Sequence, residues 1–211
     1  MNLIQIFKRF VAIMLNILIP KSHLGIILRY NLNQSMAMNI TEDTQLMPCN
    51  NAQQIVDTYR SLGSKDKIEH VQNLLKQGNE CWFALHKGQI AGSIWIYYNK
   101  VFLPNFSGRT FSKKKEIIFN DGIGYLGHEI IFENMRGKGV GQNFFFLLID
   151  EYKKRKTINK FVMTMGANNT ANIRRFMKCD AKLIGIVQAT RILGYTMRKE
   201  YFLDNKEKCW D

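Results

Sequence analysis

The sequence predicts an α/β domain built on a single mixed, mostly antiparallel sheet with helices on both faces, preceded by an N-terminal extension. Three observations predict it. From residue 39 onward the periodic segments run β-α-α-β-β-β-α-β-α-β-β, an order that packs most simply as one covered sheet. The 211 residues are 46% hydrophobic and 12% aromatic, enough for one domain with a real core and unlike a disordered chain. No internal repeat and no linker divides them.

Composition bounds the chemistry. The four cysteines, Cys49, Cys81, Cys179 and Cys209, are widely spaced, without a Cys-x-x-Cys pair and without clustered histidines. Reduced thiols in a cytoplasm are expected, with no zinc site. The net charge of +13 suits a polyanionic ligand, an anionic membrane surface or a nucleic acid. The basic runs Lys113-Lys114-Lys115 and Lys153-Lys154-Arg155-Lys156 lack interleaved aromatics, so no nucleic acid is expected.

The elements follow in order. Residues 1–35 form an apolar and basic extension, with Lys8 and Arg9 before the apolar run Phe10 to Ile19, and Leu24 to Leu28 apolar again. That run is too short to span a bilayer. It suits peripheral contact with the inner membrane face through residues 1–30. The alternatives are an extra helix packed on the domain or an upstream extension ahead of Met36 or Met38. Residues 36–203 form the domain and 204–211 a polar tail.

Asn39 to Pro48 reads as the first strand. Asn50 or Asn51 caps a helix over Ala52 to Leu62, with Ile55, Val56 and Tyr59 inward. A second helix covers Ser64 to Gln77 and stops at Gly78-Asn79. Cys81 to His86 and Gln89 to Tyr98 form a hairpin about Lys87-Gly88. Asn99 to Asn120 reads as a long, basic, irregular insertion. Ile123 to Glu133 is the central strand, and a helix runs from Gln142 to about Arg155, its basic end suited to the helix dipole. Phe161 to Met165 is a strand. Asn168 or Asn169 caps a helix over Thr170 to Lys178, and Leu183 to Ala189 and Arg191 to Phe202 are the last strands.

The chain is organised around Met135-Arg136-Gly137-Lys138-Gly139-Val140-Gly141-Gln142, three glycines and two cations at a strand-to-helix turn. Glycine permits close approach and positive φ. A helix start offers unpaired N–H groups and the positive end of a dipole, hence an anion site. The Walker pattern is absent. The dinucleotide fingerprint also fails, because the glycines alternate and Lys160 lies near where its acid belongs. The pattern that fits is Arg-x-x-Gly-x-Gly, as Arg136, Gly139 and Gly141.

Ile131-Phe132-Glu133-Asn134-Met135-Arg136-Gly137-Lys138-Gly139-Val140-Gly141 resembles the pyrophosphate loop of the GCN5-related N-acetyltransferases. Asn169-Thr170-Ala171-Asn172-Ile173-Arg174-Arg175-Phe176-Met177-Lys178 resembles the same family's Asn-x-x-Ala-x-x-x-Tyr-x-Lys helix. The resemblance covers about Asn39 to Phe202, with a strand between the two motifs as in the family. It implies the acyl-CoA N-acyltransferase fold and acetyl transfer from acetyl-CoA to a primary amine. The acceptor is expected to be a small molecule such as an amino sugar, polyamine or amino acid. The other readings are a protein amine as acceptor, and a module that binds coenzyme A without turnover. Three departures stand out: Glu133 where the family often has proline, Phe176 where many members carry a proton-donating tyrosine, and Asp180-Ala181 in place of Gly-Phe.

The resemblance also assigns roles. Backbone donors of Gly137, Lys138, Gly139, Val140, Gly141 and Gln142, with the charges of Arg136 and Lys138, are expected to hold the pyrophosphate. Main-chain N–H groups from Glu129 through Ile130 and Ile131 are expected to meet the thioester carbonyl. Asn169 and Asn172 are expected to meet the pantetheine arm from the opposite side. The amine must lose a proton, and the candidate bases are Glu129, His128 and Tyr125, with Glu129 leading. Strand alternation puts Tyr125 and Glu129 on one face and His128 on the other unless a bulge intervenes. Phe176 cannot serve as the general acid. Tyr195 and Tyr201 are the alternatives, and the thiolate could also leave unaided.

Overall fold

The computed structural model describes residues 21–34, 43–61, 67–103, 115–192 and 195–204. The apolar run Phe10 to Ile19 with its expected membrane contact, Met36 and Met38, the start of the expected first strand, Lys113 and Lys114, and the tail from residue 205 lie outside the described residues.

The chain order is β1 (Lys21–Asn31), β2 (Thr44–Cys49), α1 (Ala52–Ser61), α2 (Ile68–Lys76), β3 (Glu80–His86), β4 (Gln89–Tyr97), β5 (Lys100–Leu103), β6 (Lys115–Ile118) and β7 (Ile123–Ile131). A 3₁₀ turn (Glu133–Met135) follows, then α3 (Val140–Arg155), β8 (Lys160–Gly166), α4 (Thr170–Lys178), β9 (Lys182–Ile192) and β10 (Tyr195–Phe202). Among the described residues eight strands form one sheet in the order β10-β9-β1-β8-β7-β4-β3-β2, and β5 and β6 form a separate ribbon. Among the described residues the β7–β8 pairing alone is parallel. The mixed, mostly antiparallel sheet is therefore observed.

Local chemistry explains the elements. Asn51 caps α1, its Oδ1 accepting from the Gln54 N–H at 3.1 Å, and Ile55, Val56 and Tyr59 point inward. The β3–β4 turn places Lys87 at φ 51° and Gly88 at φ 77°, the pair of positive values that suits a two-residue hairpin. Each sheet face carries its own core. One holds Phe144, Phe145, Leu148, Ile149 and Tyr152 of α3 and Phe176 of α4 against Leu28, Trp82, Leu126 and Phe161. The other holds α1 and Val71 of α2 against Phe83, Trp95, Tyr125 and Val162.

Two expectations are corrected. The segment Lys21–Asn31 is no extension. It is β1, paired antiparallel to β8 on one side and β9 on the other, with Ile27, Leu28 and Tyr30 fully buried. A strand buried on both faces reads as a continuous apolar run, and Gly25 to Leu28 is that enclosed part of the run, Leu24 at its start being exposed. The domain therefore begins before residue 36. The insertion is also not wholly irregular, since Lys100–Leu103 pairs with Lys115–Ile118.

At the far end of α3 from the glycine loop, one carboxylate gathers four donors. Glu80 accepts from Tyr152 Oη at 2.7 Å, Trp82 Nε1 at 3.0 Å, Tyr98 Oη at 3.0 Å and Arg155 Nη1 at 3.1 Å. Tyr98 and Tyr152 also lie 2.6 Å apart. Burial pushes both phenols up, so both remain protonated. This cluster fastens the C-terminal end of α3 to β3 and β4.

Candidate functional site

Pairing between β7 and β8 stops at Leu126↔Met163. Beyond it β8 continues only against β1, while residues 127–131 of β7 continue against β4. The two parallel strands part, and the gap opens toward the start of α3. A cleft of about 610 Å³ fills it.

A bulge sits where the strands part. Ser93 pairs with Ile130 and Trp95 with Gly127, leaving two β7 residues, His128 and Glu129, opposite Ile94 alone. His128 takes φ 50°, a left-handed conformation uncommon for a side-chain-bearing residue and often kept where function needs it. The bulge changes the expected facing. Tyr125 is buried in the core under α1 and α2, its hydroxyl 2.6 Å from Thr164 Oγ1. Glu129 instead reaches the α4 side and forms an ion pair with Arg175. Tyr125 and Glu129 therefore lie on opposite faces. His128 is exposed, its ring centroid 6.3 Å from that of Tyr97.

The loop is shaped by its glycines in two ways. Gly137 and Gly139 have φ 76° and 77°, with no atom near where a Cβ would sit. They turn the chain from the 3₁₀ segment into α3, and Gly139 is its N-cap residue. The N–H groups of Val140 and Gly141 open α3 without intrahelical acceptors and both residues line the cleft, whereas the Gln142 N–H expected as a donor is taken by the Gly139 carbonyl at 3.0 Å. Gly141 has ordinary φ, but a Cβ there would collide with Nη1 of Arg175. Arg136 folds back, its Nε donating to the Ile131 carbonyl at 3.2 Å. Asn169 caps α4 by accepting from the Asn172 N–H at 3.4 Å.

Glu129, Ile130, Ile131, Arg136, Gly137, Gly139, Val140, Gly141, Gln142, Asn169 and Asn172 all line this cleft, joined by Met135, Ala171 and Arg175. Lys138 is exposed outside the lining. Phe176 is buried with its ring edge-on to Phe145 at 4.8 Å. Tyr195 and Tyr201 are corrected as acid candidates. Both belong to β10, four strands from β7 and about 19 Å away at normal strand spacing. Arg175 escaped the sequence reading, because its partner Glu129 lies 46 residues away and only the folded sheet brings α4 over the β7 bulge. Among the described residues no group of three or more His, Cys, Asp or Glu could hold a metal ion, and no helix is long and apolar enough to cross a membrane.

No family model matches the sequence, and a search of curated proteins finds no match. Solved structures do match. A GCN5-related N-acetyltransferase from Sphaerobacter thermophilus superposes with a TM-score of 0.55 at 13% identity, over 92% of this chain and 56% of that one. A Drosophila protein superposes with a TM-score of 0.54 at 10% identity, over 88% of this chain and 56% of that one. The chain thus spans just over half the length of either structure. At such identities the likeness speaks to architecture alone: the chain has the acyl-CoA N-acyltransferase fold of the GCN5-related N-acetyltransferases.

Proposed function

We propose that the chain is an N-acetyltransferase that moves an acetyl group from acetyl-CoA to a primary amine, with a small molecule as acceptor. The observation that carries the reading is the cleft between β7 and β8, closed at one end by the glycine loop and the α3 N-terminus. Its parts fit the group. Gly137 and Gly139 leave open space where side chains would intrude, the helix start supplies donors for phosphate, and the gap that opens beyond the last β7–β8 pair, Leu126↔Met163, leaves room for a slender arm. Acetyl-CoA, when bound, supplies an activated thioester.

The chain's own residues divide the work. The loop N–H groups hold the anion, and main-chain N–H groups of Glu129 to Ile131, which line the cleft, serve the thioester carbonyl where negative charge develops. Glu129 is the weaker candidate base, because its carboxylate is engaged by Arg175. His128 is the exposed titratable side chain at the bulge, and imidazole is the side chain suited to taking a proton near neutral pH. We assign it the base role. A cytoplasmic location fits this chemistry.

A second reading, a module that binds acyl-CoA without turnover, draws on one observation: Phe176 offers no hydroxyl and is buried away from the cleft. One experiment separates the readings. A thermal-shift titration with acetyl-CoA, with ATP as control, is followed by an amine screen for thiol release. Stabilisation by acetyl-CoA alone together with thiol release supports the enzyme. Stabilisation without release by any amine, protein amines included, supports the module. No shift at millimolar acetyl-CoA refutes both. In an active enzyme, His128→Gln should lower turnover and remove the acid limb of its pH profile, and an unchanged profile would remove His128 as the base.

A further inference from the structure

Arg175 of α4 lines the cleft. Arg175 is held on three sides. Its Nη2 pairs with Glu129 just after the β7 bulge. Its guanidinium carbon lies 4.3 Å from the centroid of the Phe176 ring. Its Nη1 occupies the space left by the missing side chain of Gly141, in the first turn of α3. Its Nε is buried without a hydrogen-bond partner. Both side chains are only 14% exposed, so the pair is largely desolvated and its orientation is fixed from both ends.

A guanidinium has five donors in a rigid fork and can serve two anions at once. Glu129 takes the Nη2 edge. The Nη1 edge sits beside the helix start whose N–H groups form the anion site. Resting on the acyl-CoA reading, we infer that Arg175 is a pyrophosphate-binding residue, donating from Nη1 to the cofactor at the first turn of α3 while Nη2 stays on Glu129. Glu129 then acts as a positioning residue for that arginine, not as the general base. Gly141 is glycine chiefly to admit the guanidinium, not to adopt an unusual backbone. An uncompensated Glu129 in this cleft would repel the cofactor's phosphates, and Arg175 cancels that charge.

The test is calorimetric titration with coenzyme A and with 3′-dephospho-coenzyme A. Arg175→Met should weaken both by roughly 10- to 100-fold, the range of a lost charge-assisted hydrogen bond. Loss confined to coenzyme A would place Arg175 on the 3′-phosphate and overturn the assignment, as would unchanged affinity for both ligands. Should Arg175→Met fail to fold, Gly141→Ala displaces Nη1 while keeping the charge and should weaken both ligands in the same way. Unchanged affinity there would equally overturn the assignment. Glu129→Ala is measured in the wild-type and Arg175→Met backgrounds, and its effects on affinity should differ between them. Additive effects would show that Glu129 does not act through Arg175. Failure of the wild-type protein to bind coenzyme A would overturn the acyl-CoA reading and this inference with it. Binding by wild type with an unaltered Arg175→Met variant would overturn this inference alone.

Discussion

Replacing Glu80 with alanine should cost about 2–4 kcal/mol of folding stability, although the residue lies far from the cleft. The magnitude follows from what its four donors do afterwards. Tyr98 and Tyr152 keep each other at 2.6 Å, but only one hydroxyl proton can sit between them. The other loses its acceptor in a site where both rings are largely enclosed, at about 1–3 kcal/mol. Trp82 Nε1 can lean on Tyr152 Oη, already 3.3 Å away, so its loss is partial. Arg155 is 34% exposed and keeps Glu151 at 2.7 Å, so the broken Arg155–Glu80 pair adds at most about 1 kcal/mol. Glu80→Gln retains one acceptor oxygen and should cost about half as much. Urea denaturation followed by tryptophan fluorescence reads both variants against wild type. A loss below about 1 kcal/mol for alanine would refute the argument that these donors need the carboxylate. Equal losses for alanine and glutamine would show that charge, not acceptor geometry, dominates.

Other predictions rest on single residues. Gly139→Ala should destabilise by about 1–2 kcal/mol, because φ is 77° while nothing crowds the added Cβ; an unchanged urea midpoint would disprove the left-handed assignment. Phe176→Tyr should lose about 1–3 kcal/mol by burying an unpaired hydroxyl beside Phe145. It should not raise turnover, and a faster enzyme would show that the ring reaches the cleft. Burial pushes the Cys179 thiol up to about 11, with the nearby Arg175 charge pulling the other way. The folded state keeps this proton while an unfolded thiol releases it near about 8.5. Its contribution is thus complete below that pH and is lost as pH climbs toward 11. Urea midpoints should fall between pH 8 and 10, and a midpoint that holds steady would contradict the burial.

The sequence was most legible where backbone chemistry dominates. Alternating glycines before an apolar helix announced the α3 turn, and Gly137 and Gly139 hold the positive φ that glycine allows. The inward face of α1, the asparagine cap of α4 and the Lys87-Gly88 hairpin were equally local. What escaped were long-range facts. Leu24 to Leu28 carries the run of a buried strand, but its basic and apolar neighbours upstream drew it into an extension, and only β8 and β9 reveal its place. The bulge at His128 has no local signature beyond Gly127, so the facing of Glu129 could not be read. Gly141 looked like a third phosphate glycine, and its neighbour Arg175, one helix away, gives a different reason for it.

The position of β1 has a consequence for biosynthesis. Asn31 pairs with Lys160 and Lys21 with Arg191. A ribosome adding about 5–20 residues per second would leave this apolar strand waiting roughly 7–25 s for its first neighbour. In that interval both of its edges are templates for wrong pairing. The sheet also cannot be completed hairpin by hairpin, since its first strand must be inserted between β8 and β9, two of the last three made. Closure across so much chain is slow. The yield of folded protein should therefore depend on whatever shields residues 21–31 during synthesis more than on the stability of the finished sheet.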